Sequence, residues 1–373
     1  MKLAYKAGFL LFLGCLLAST ATASDRPSQE FSKSIKKEFA ISSNGTAAMY
    51  NQYGKIDVKT WQQNRVKVEV TITVEARNES DAQKVFDRIK VEFEDRADYV
   101  KAETLIESSQ NSWWNWGSDK SEFSIDYEVF VPRSLQLDLQ NKYGDVYVGE
   151  MDGQGEVRVK YGNFRLEGFN NDLELELAYG NGAVVKAKDI NADLSYGKLT
   201  MEQVRDLVVD SKYSMLTIEQ CNDLRSSSKY DTYEIGALHE LRSEGRYDNL
   251  RIGKAENLFV NSRYTDLKIE RIANSADLDL QYGGVNIGEI AKGFSEVRLI
   301  GRYTDYKVRV EDGASYQLEA TGDYAGIIYP QNMNITYEKD KGTYHEVEGH
   351  IGAKGARSVI KVRLDYGGLK VVH

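Results

Sequence analysis

Through the middle of the chain, apolar residues fall at every second position ahead of a recurring tyrosine. Six residues before it stand Leu173, Ile190, Leu207, Leu224, Leu241, Leu258 and Ala276. Four before stand Leu175, Ala192, Val209, Ser226, Ser243, Val260 and Leu278; two before stand Leu177, Leu194, Ser211, Ser228, Gly245, Ser262 and Leu280. This alternation predicts strands with one buried face, and it puts the tyrosine on that apolar face. Beyond the tyrosine the register changes. The next apolar positions are three and five residues on, as in Leu216 and Ile218, Leu250 and Ile252, Leu267 and Ile269. A gap of three breaks the alternation, so the chain turns at the tyrosine. Eight residues after it comes one more inward position, held by Phe169, Val204, Cys221, Leu238, Ala255, Ile272 or Ile290.

The tyrosines themselves sit at 143, 161, 179, 196, 213, 230, 247, 264, 282, 303, 324 and 366. Their spacing is 17 or 18 as far as Tyr282, then 21, and the final gap of 42 predicts a degenerate repeat near Tyr344. Self-similarity at a short fixed period is the signature of a solenoid. Each coil is expected to hold a longer strand, a Tyr-Gly corner, a shorter strand and a second turn. Thirteen such coils at strand spacing make a rod roughly 60 Å long. The residue after the tyrosine is Gly144, Gly162, Gly180, Gly197, Ser214, Asp231, Asp248, Thr265 or Gly283. Gly and Asp tolerate left-handed or bulged backbone better than most residues, which assigns the turn's special conformation to this residue. Thr265 and Thr304 tolerate it poorly and are expected to keep φ negative. The tyrosine reads as a corner residue stacked on its neighbours, with Ser or Gly two residues earlier making room for the ring. A functional tyrosine surface is the alternative reading.

Tyr53-Gly54, followed by Ile56 and Val58, is a first copy of the repeat, after which the array is interrupted. Residues 64–76 alternate strictly and predict a long strand. Ser80 is placed to cap a helix over Asp81–Ile89, with Val85, Phe86 and Ile89 as its apolar stripe. Further strands are expected near 90–106 and 122–131. The resulting division is a signal peptide at 1–23, a polar leader at 24–45, an α+β cap at 46–133 and the solenoid at 134–373. A cap is needed because an open solenoid end is a bare sheet edge. At the other end, the coil over Ile360–Val371 is expected to finish the stack abruptly.

Composition sharpens this all-β reading. The 373 residues include 31 Gly and 24 Tyr but 3 Pro, which suits many strands joined by tight turns. A net charge of −9 argues against general nucleic-acid binding. Lys2 and Lys6, the apolar run Ala7–Leu17 and Ala21-Thr22-Ala23 read as a secretory signal peptide, too short to span a membrane comfortably. Its removal takes two Lys from the −9 and leaves about −11. Phe12-Leu13-Gly14-Cys15 also resembles a lipoprotein signal, so lipid anchoring at Cys15 is the alternative. Without Cys15, Cys221 stands alone, and it falls on an inward position as inert core.

The stretches VPRSLQLDLQNKYGDVYV (131–148), VKYGNFRLEGF (159–169) and IKVRLDYGGLKVV (360–372), with the K-Y-S and R-Y-D coils between, resemble the bacterial putative-adhesin family of exported β-solenoids, common in Bacteroidota. The resemblance covers about residues 45–373. It implies a cell-envelope β-solenoid of a Gram-negative bacterium. It supplies no catalytic residues, the family being largely a domain of unknown function.

No G-x-S-x-G, P-loop or H-E-x-x-H pattern occurs, so the expected class is a non-enzyme without cofactor. A polysaccharide-degrading β-helix enzyme is a rival, though short uniform coils leave little room for catalytic loops. A structural or envelope-stress protein without external ligand is another. His345 and His350, with Glu346 and Glu348 beside them, are a weak metal pattern, and no metal is expected. Two features are candidates for a partner, either a polysaccharide or an envelope protein. Lys142, Lys160, Lys212, Lys229, Arg246, Arg263 and Arg302 stand just before the corner tyrosine and face solvent. In stacked coils Lys212, Lys229, Arg246 and Arg263 form a continuous cationic stripe. Either Asp231, Asp248 and Asp266 neutralise it, or it takes an acidic polysaccharide. The second is Trp113, Trp114 and Trp116 in a polar loop, which either seals the rod's end or binds a sugar or partner surface.

Overall fold

The computed structural model describes residues 28–107 and 122–373. Its centre is a run of 15-residue strands, Lys198–Lys212, Met215–Lys229, Thr232–Arg246 and Asn249–Arg263, each pairing in parallel with the next. In this run every turn lies directly above its predecessor, so Leu207, Leu224, Leu241 and Leu258 form one column, none more than 1% exposed. The inward positions eight after the tyrosine are buried too, from Phe169 through Cys221 to Ile290. The expected second turn is milder than a break, since the chain rounds that corner within one continuous strand. The solenoid has about 10 turns, against the thirteen coils counted from sequence.

At the N-terminal end the first turn is made by Thr46–Gln52 and Ile56–Trp61. They pair in parallel with Gln136–Lys142 and Val146–Met151, although more than seventy residues intervene. The intervening chain builds the cap. Glu122–Pro132 lies parallel to Ile56–Trp61, then Arg65–Ala76 and Gln29–Ala40 add antiparallel strands outside it. Tyr99–Ile106 covers the other arm beside Thr46–Gln52 and hairpins with Ile89–Arg96. Residues 29–40, expected as part of a loose leader, are thus a paired strand. The sequence alternates weakly there, and Phe31, Ile35 and Phe39 pack on the core at four-residue spacing. The helix spans Glu79–Phe86, starting two residues earlier than expected because Asn78 and not Ser80 accepts the Asp81 N–H as its cap, and ending three residues earlier, so that Ile89 opens the next strand.

The C-terminal end also departs from expectation. Tyr344 lies in an antiparallel hairpin, Asn334–Lys341 with Tyr344–Ile351, and not in a degenerate coil. The hairpin pairs with Tyr316–Ile328 and closes the stack. Nor does the last described strand, Val359–Val372, end the rod. It slots between Glu296–Val310 and Tyr316–Ile328, parallel to both. The outermost strand carries Glu338, Lys339, Asp340 and Lys341, charges that discourage further edge pairing.

Candidate binding face along the tyrosine ladder

The corner works differently from the sequence expectation. The tyrosine itself takes the left-handed conformation, with φ between 51° and 62° at thirteen positions from Tyr53 to Tyr366. Of the residues that follow these tyrosines, only Gly367 has a positive φ. Glycine follows the tyrosine for a different reason. A Cβ at Gly144, Gly162, Gly180 or Gly283 would lie 1.8–2.1 Å from the carbonyl oxygen of the turn below. The left-handed step also reverses the alternation, so the ring expected on the apolar face swings out to solvent. The tyrosines from Tyr143 to Tyr366 are 41–57% exposed.

The rings stack as an unbroken ladder. Neighbouring centroids lie 4.7–5.1 Å apart from Tyr53 through Tyr303, then on to Tyr366 and finally Tyr324. A left-handed residue other than glycine costs ~1–2 kcal/mol, and an aromatic pair returns ~0.5–1.5 kcal/mol beyond burial. The stacking therefore offsets part of the strain at each corner. A shallow trough of about 770 Å³ runs beside the rings of Tyr179, Tyr196, Tyr213 and Tyr230.

The middle turns replace glycine after the tyrosine with Ser214, Asp231, Asp248 and Thr265. Their side chains accept the backbone N–H of the residue one turn earlier. Ser214 N donates to Asp231 Oδ1 at 2.6 Å, Asp231 N to Asp248 Oδ1 at 2.8 Å, and Asp248 N to Thr265 Oγ1 at 3.4 Å. The second carboxylate oxygens accept Ser211 Oγ at 2.8 Å and Ser228 Oγ at 2.9 Å. Asp231 and Asp248 are 2% and 5% exposed, and burial pushes both carboxyls above the usual aspartate range. Ser211, Ser228 and Gly245 thus make room for carboxylates, not for the corner ring. A Cβ at Gly245 would sit 2.2 Å from Asp248 Oδ2. Tyr233, whose hydroxyl lies 2.6 Å from Ser211 Oγ, fills the remaining space. This polar seam was missed from sequence, where Asp231 and Asp248 read as partners of the outer stripe. The signal was present, since Ser at inward positions coincides with Asp at the corner in the same turns.

With those two carboxylates inside, the stripe is left unneutralised. Lys212, Lys229, Arg246 and Arg263 stand opposite one another in consecutive turns and are exposed. Among the described residues none of the four has a carboxylate within ion-pair distance; the nearby Asp266 instead accepts the Gly284 N–H at 3.1 Å. Lys142, Lys160 and Lys229 lie over the rings of Tyr143, Tyr161 and Tyr230 at 4.8–5.4 Å, so part of the stripe rides on the ladder. Arg302 faces Asp365 at 3.8 Å, where the row turns acidic.

The remaining candidates are not brought to this face. Trp113, Trp114 and Trp116 lie outside the described residues, as do the signal segment and Cys15. His345 and His350 share one strand five residues apart, which points them to opposite faces. His345 instead approaches Glu338 at 3.2 Å. Cys221 is buried, its thiol pushed up to about 12 by desolvation. No helix among the described residues is long and apolar enough to cross a membrane.

No family model and no curated protein matches the chain. Solved structures similar to it include the following two. One is described as a putative cell adhesion protein from Clostridium sporogenes ATCC 15579, at 9% identity over 92% of this chain and 99% of that one, with a TM-score of 0.18. The other is described as a putative adhesin from Parabacteroides distasonis ATCC 8503, at 11% identity over 74% and 93%, with a TM-score of 0.24. Superpositions this loose carry no functional argument, so the function must be argued from the face itself.

Proposed function

We propose that the protein is a non-enzymatic binding scaffold of the cell envelope, exported by its N-terminal signal, whose cationic stripe holds an acidic polysaccharide. The observation that carries this reading is the inward turn of Asp231 and Asp248. It removes the counter-charges that would have made Lys212, Lys229, Arg246 and Arg263 a balanced surface. Four like charges at strand spacing repel one another, and a linear polyanion laid along the rod relieves that repulsion. The tyrosine hydroxyls beside them form a row of hydrogen-bonding groups with the same rise, suited to an extended glycan.

The test is retention on immobilised polygalacturonate, with a neutral glucan as control, across a salt series. An exposed charge pair is worth at most ~1 kcal/mol, so Arg246→Glu should weaken retention by up to about fivefold. Its stability should stay within ~0.5 kcal/mol of the parent. Unchanged retention would remove the stripe from the reading. Protease accessibility on intact cells then separates a surface adhesin from a periplasmic scaffold.

A further inference from the structure

The other flank of the tyrosine corner carries a second feature. Two residues after the tyrosine, the middle turns present Lys198, Met215, Thr232 and Asn249, but three of the last turns present Gly284, Gly368 and Gly326. None of the three has a positive φ. A Cβ at Gly326 would meet nothing within 4 Å, and one at Gly284 only Asp266 Oδ1 at 3.5 Å. At Gly368 the nearest atom is Asp305 Oδ1 at 3.2 Å. The pairing runs through Gly284, Asp305, Gly368 and Gly326 without a bulge. Glycine weakens a strand and marks a bulge, a bend or a close approach. The middle turns make the same bend with side chains at these positions, so with neither bulge nor clash to explain the glycines, close approach of a ligand remains.

The glycines leave a hollow of about 660 Å³, within the range of small-molecule sites. Two residues further along each turn its rim carries Lys268, Lys307 and Lys370, all exposed. None of these has a carboxylate within ion-pair distance among the described residues. Arg251, the fourth cation, is held by Glu234 at 3.2 Å. Asp305 and the Gly284-bound Asp266 line the hollow as well, so the rim keeps a net positive charge. Ile328, 58% exposed, supplies an apolar patch at the far end.

We propose that this hollow is a second site, which binds a short acidic oligosaccharide. A sugar ring can lie flat over Gly368 and Gly326, where the floor has no side chains, its edge toward Ile328 and its carboxylates toward Lys307 and Lys370 and away from Asp305. An extended peptide fits less well, because the backbone N–H and C=O groups beneath are already spent on the parallel ladder. The ligand class rests on the polyanion reading above, but the site does not overlap the stripe.

The test is fluorescence anisotropy with fluorescein-labelled trigalacturonate at low salt. Wild type should bind, and both Gly326→Leu and the Lys307→Glu/Lys370→Glu double variant should bind about tenfold more weakly. Lys33→Glu, exposed on the strand Gln29–Ala40 outside both sites, should leave trigalacturonate binding unchanged. Gly326→Leu should melt with wild type, since its Cβ points into open space. No binding to wild type would overturn the site, whatever polymer retention shows. So would equal binding of uncharged maltotriose, tighter binding of hexa-aspartate, or an unaffected Gly326→Leu. Loss of polymer retention in Arg246→Glu with trigalacturonate binding intact would support both sites separately.

Discussion

Replacing Tyr247 by glycine and by alanine should reverse the usual order of those two residues in a strand. Tyr247 sits at φ 62° between Tyr230 and Tyr264, each ring 4.8 Å away, and is 45% exposed. Either substitution loses two stacks at ~0.5–1.5 kcal/mol each. Alanine also keeps the left-handed backbone, which costs ~1–2 kcal/mol and which glycine avoids. Tyr247→Ala should therefore fall below Tyr247→Gly by about 1 kcal/mol. At an ordinary strand position the sign is opposite, glycine being worse than alanine by ~0.5–1 kcal/mol. Glu244, exposed on the same strand, provides that control. The assay is urea unfolding of the four variants followed by far-UV circular dichroism, read as the order of midpoints. If Tyr247→Ala proved at least as stable as Tyr247→Gly, the account of the corner as a strained tyrosine held by stacking would be wrong.

Two further outcomes follow from the seam and from the closing strand. The folded pKa values of Asp231 and Asp248 are raised, so the native state binds protons that the unfolded chain has released. The stability tied to these groups is therefore fullest below the ordinary aspartate value of about 3.9 and declines as pH rises through the folded values. Asp231→Asn/Asp248→Asn keeps a side-chain oxygen to accept the backbone N–H groups but cannot titrate, so it should gain on wild type as pH rises from 3 to 7; parallel melting curves across that range would sink the argument. A chain ending at residue 358 loses the strand between Glu296–Val310 and Tyr316–Ile328. Limited proteolysis should then cut within 311–358, whereas resistance equal to the full chain would mean those two strands re-pair without it.

The sequence carried the architecture because repeats multiply weak signals. One Leu at an inward position says little, but Leu207, Leu224, Leu241 and Leu258 at a fixed interval define a face and a register together. The same logic made the ladder visible. Single events were harder to see. The left-handed conformation was assigned to the glycine after the tyrosine because glycine is its usual host. The actual cause, a carbonyl about 2 Å from the missing Cβ in the neighbouring turn, is a contact between turns that one turn's sequence does not encode. Asp231 and Asp248 were read as outward for lack of any apolar neighbour to suggest burial. Their partners were Ser211 and Ser228, small residues that read as gaps. Tyr344 matched the repeat interval by coincidence of spacing, while its strand runs in the opposite direction.

The placement of Val359–Val372 reverses the order of assembly at one end of the rod. A ribosome delivers Tyr316–Ile328 before the strand that must separate it from Glu296–Val310. The growing stack therefore cannot simply zip upward turn by turn. It has to hold a slot open, or part again, until residues 359–372 arrive. Closure at that end thus reports that the message was translated at least to residue 372, and a prematurely terminated chain leaves an unmatched strand edge that invites aggregation or degradation.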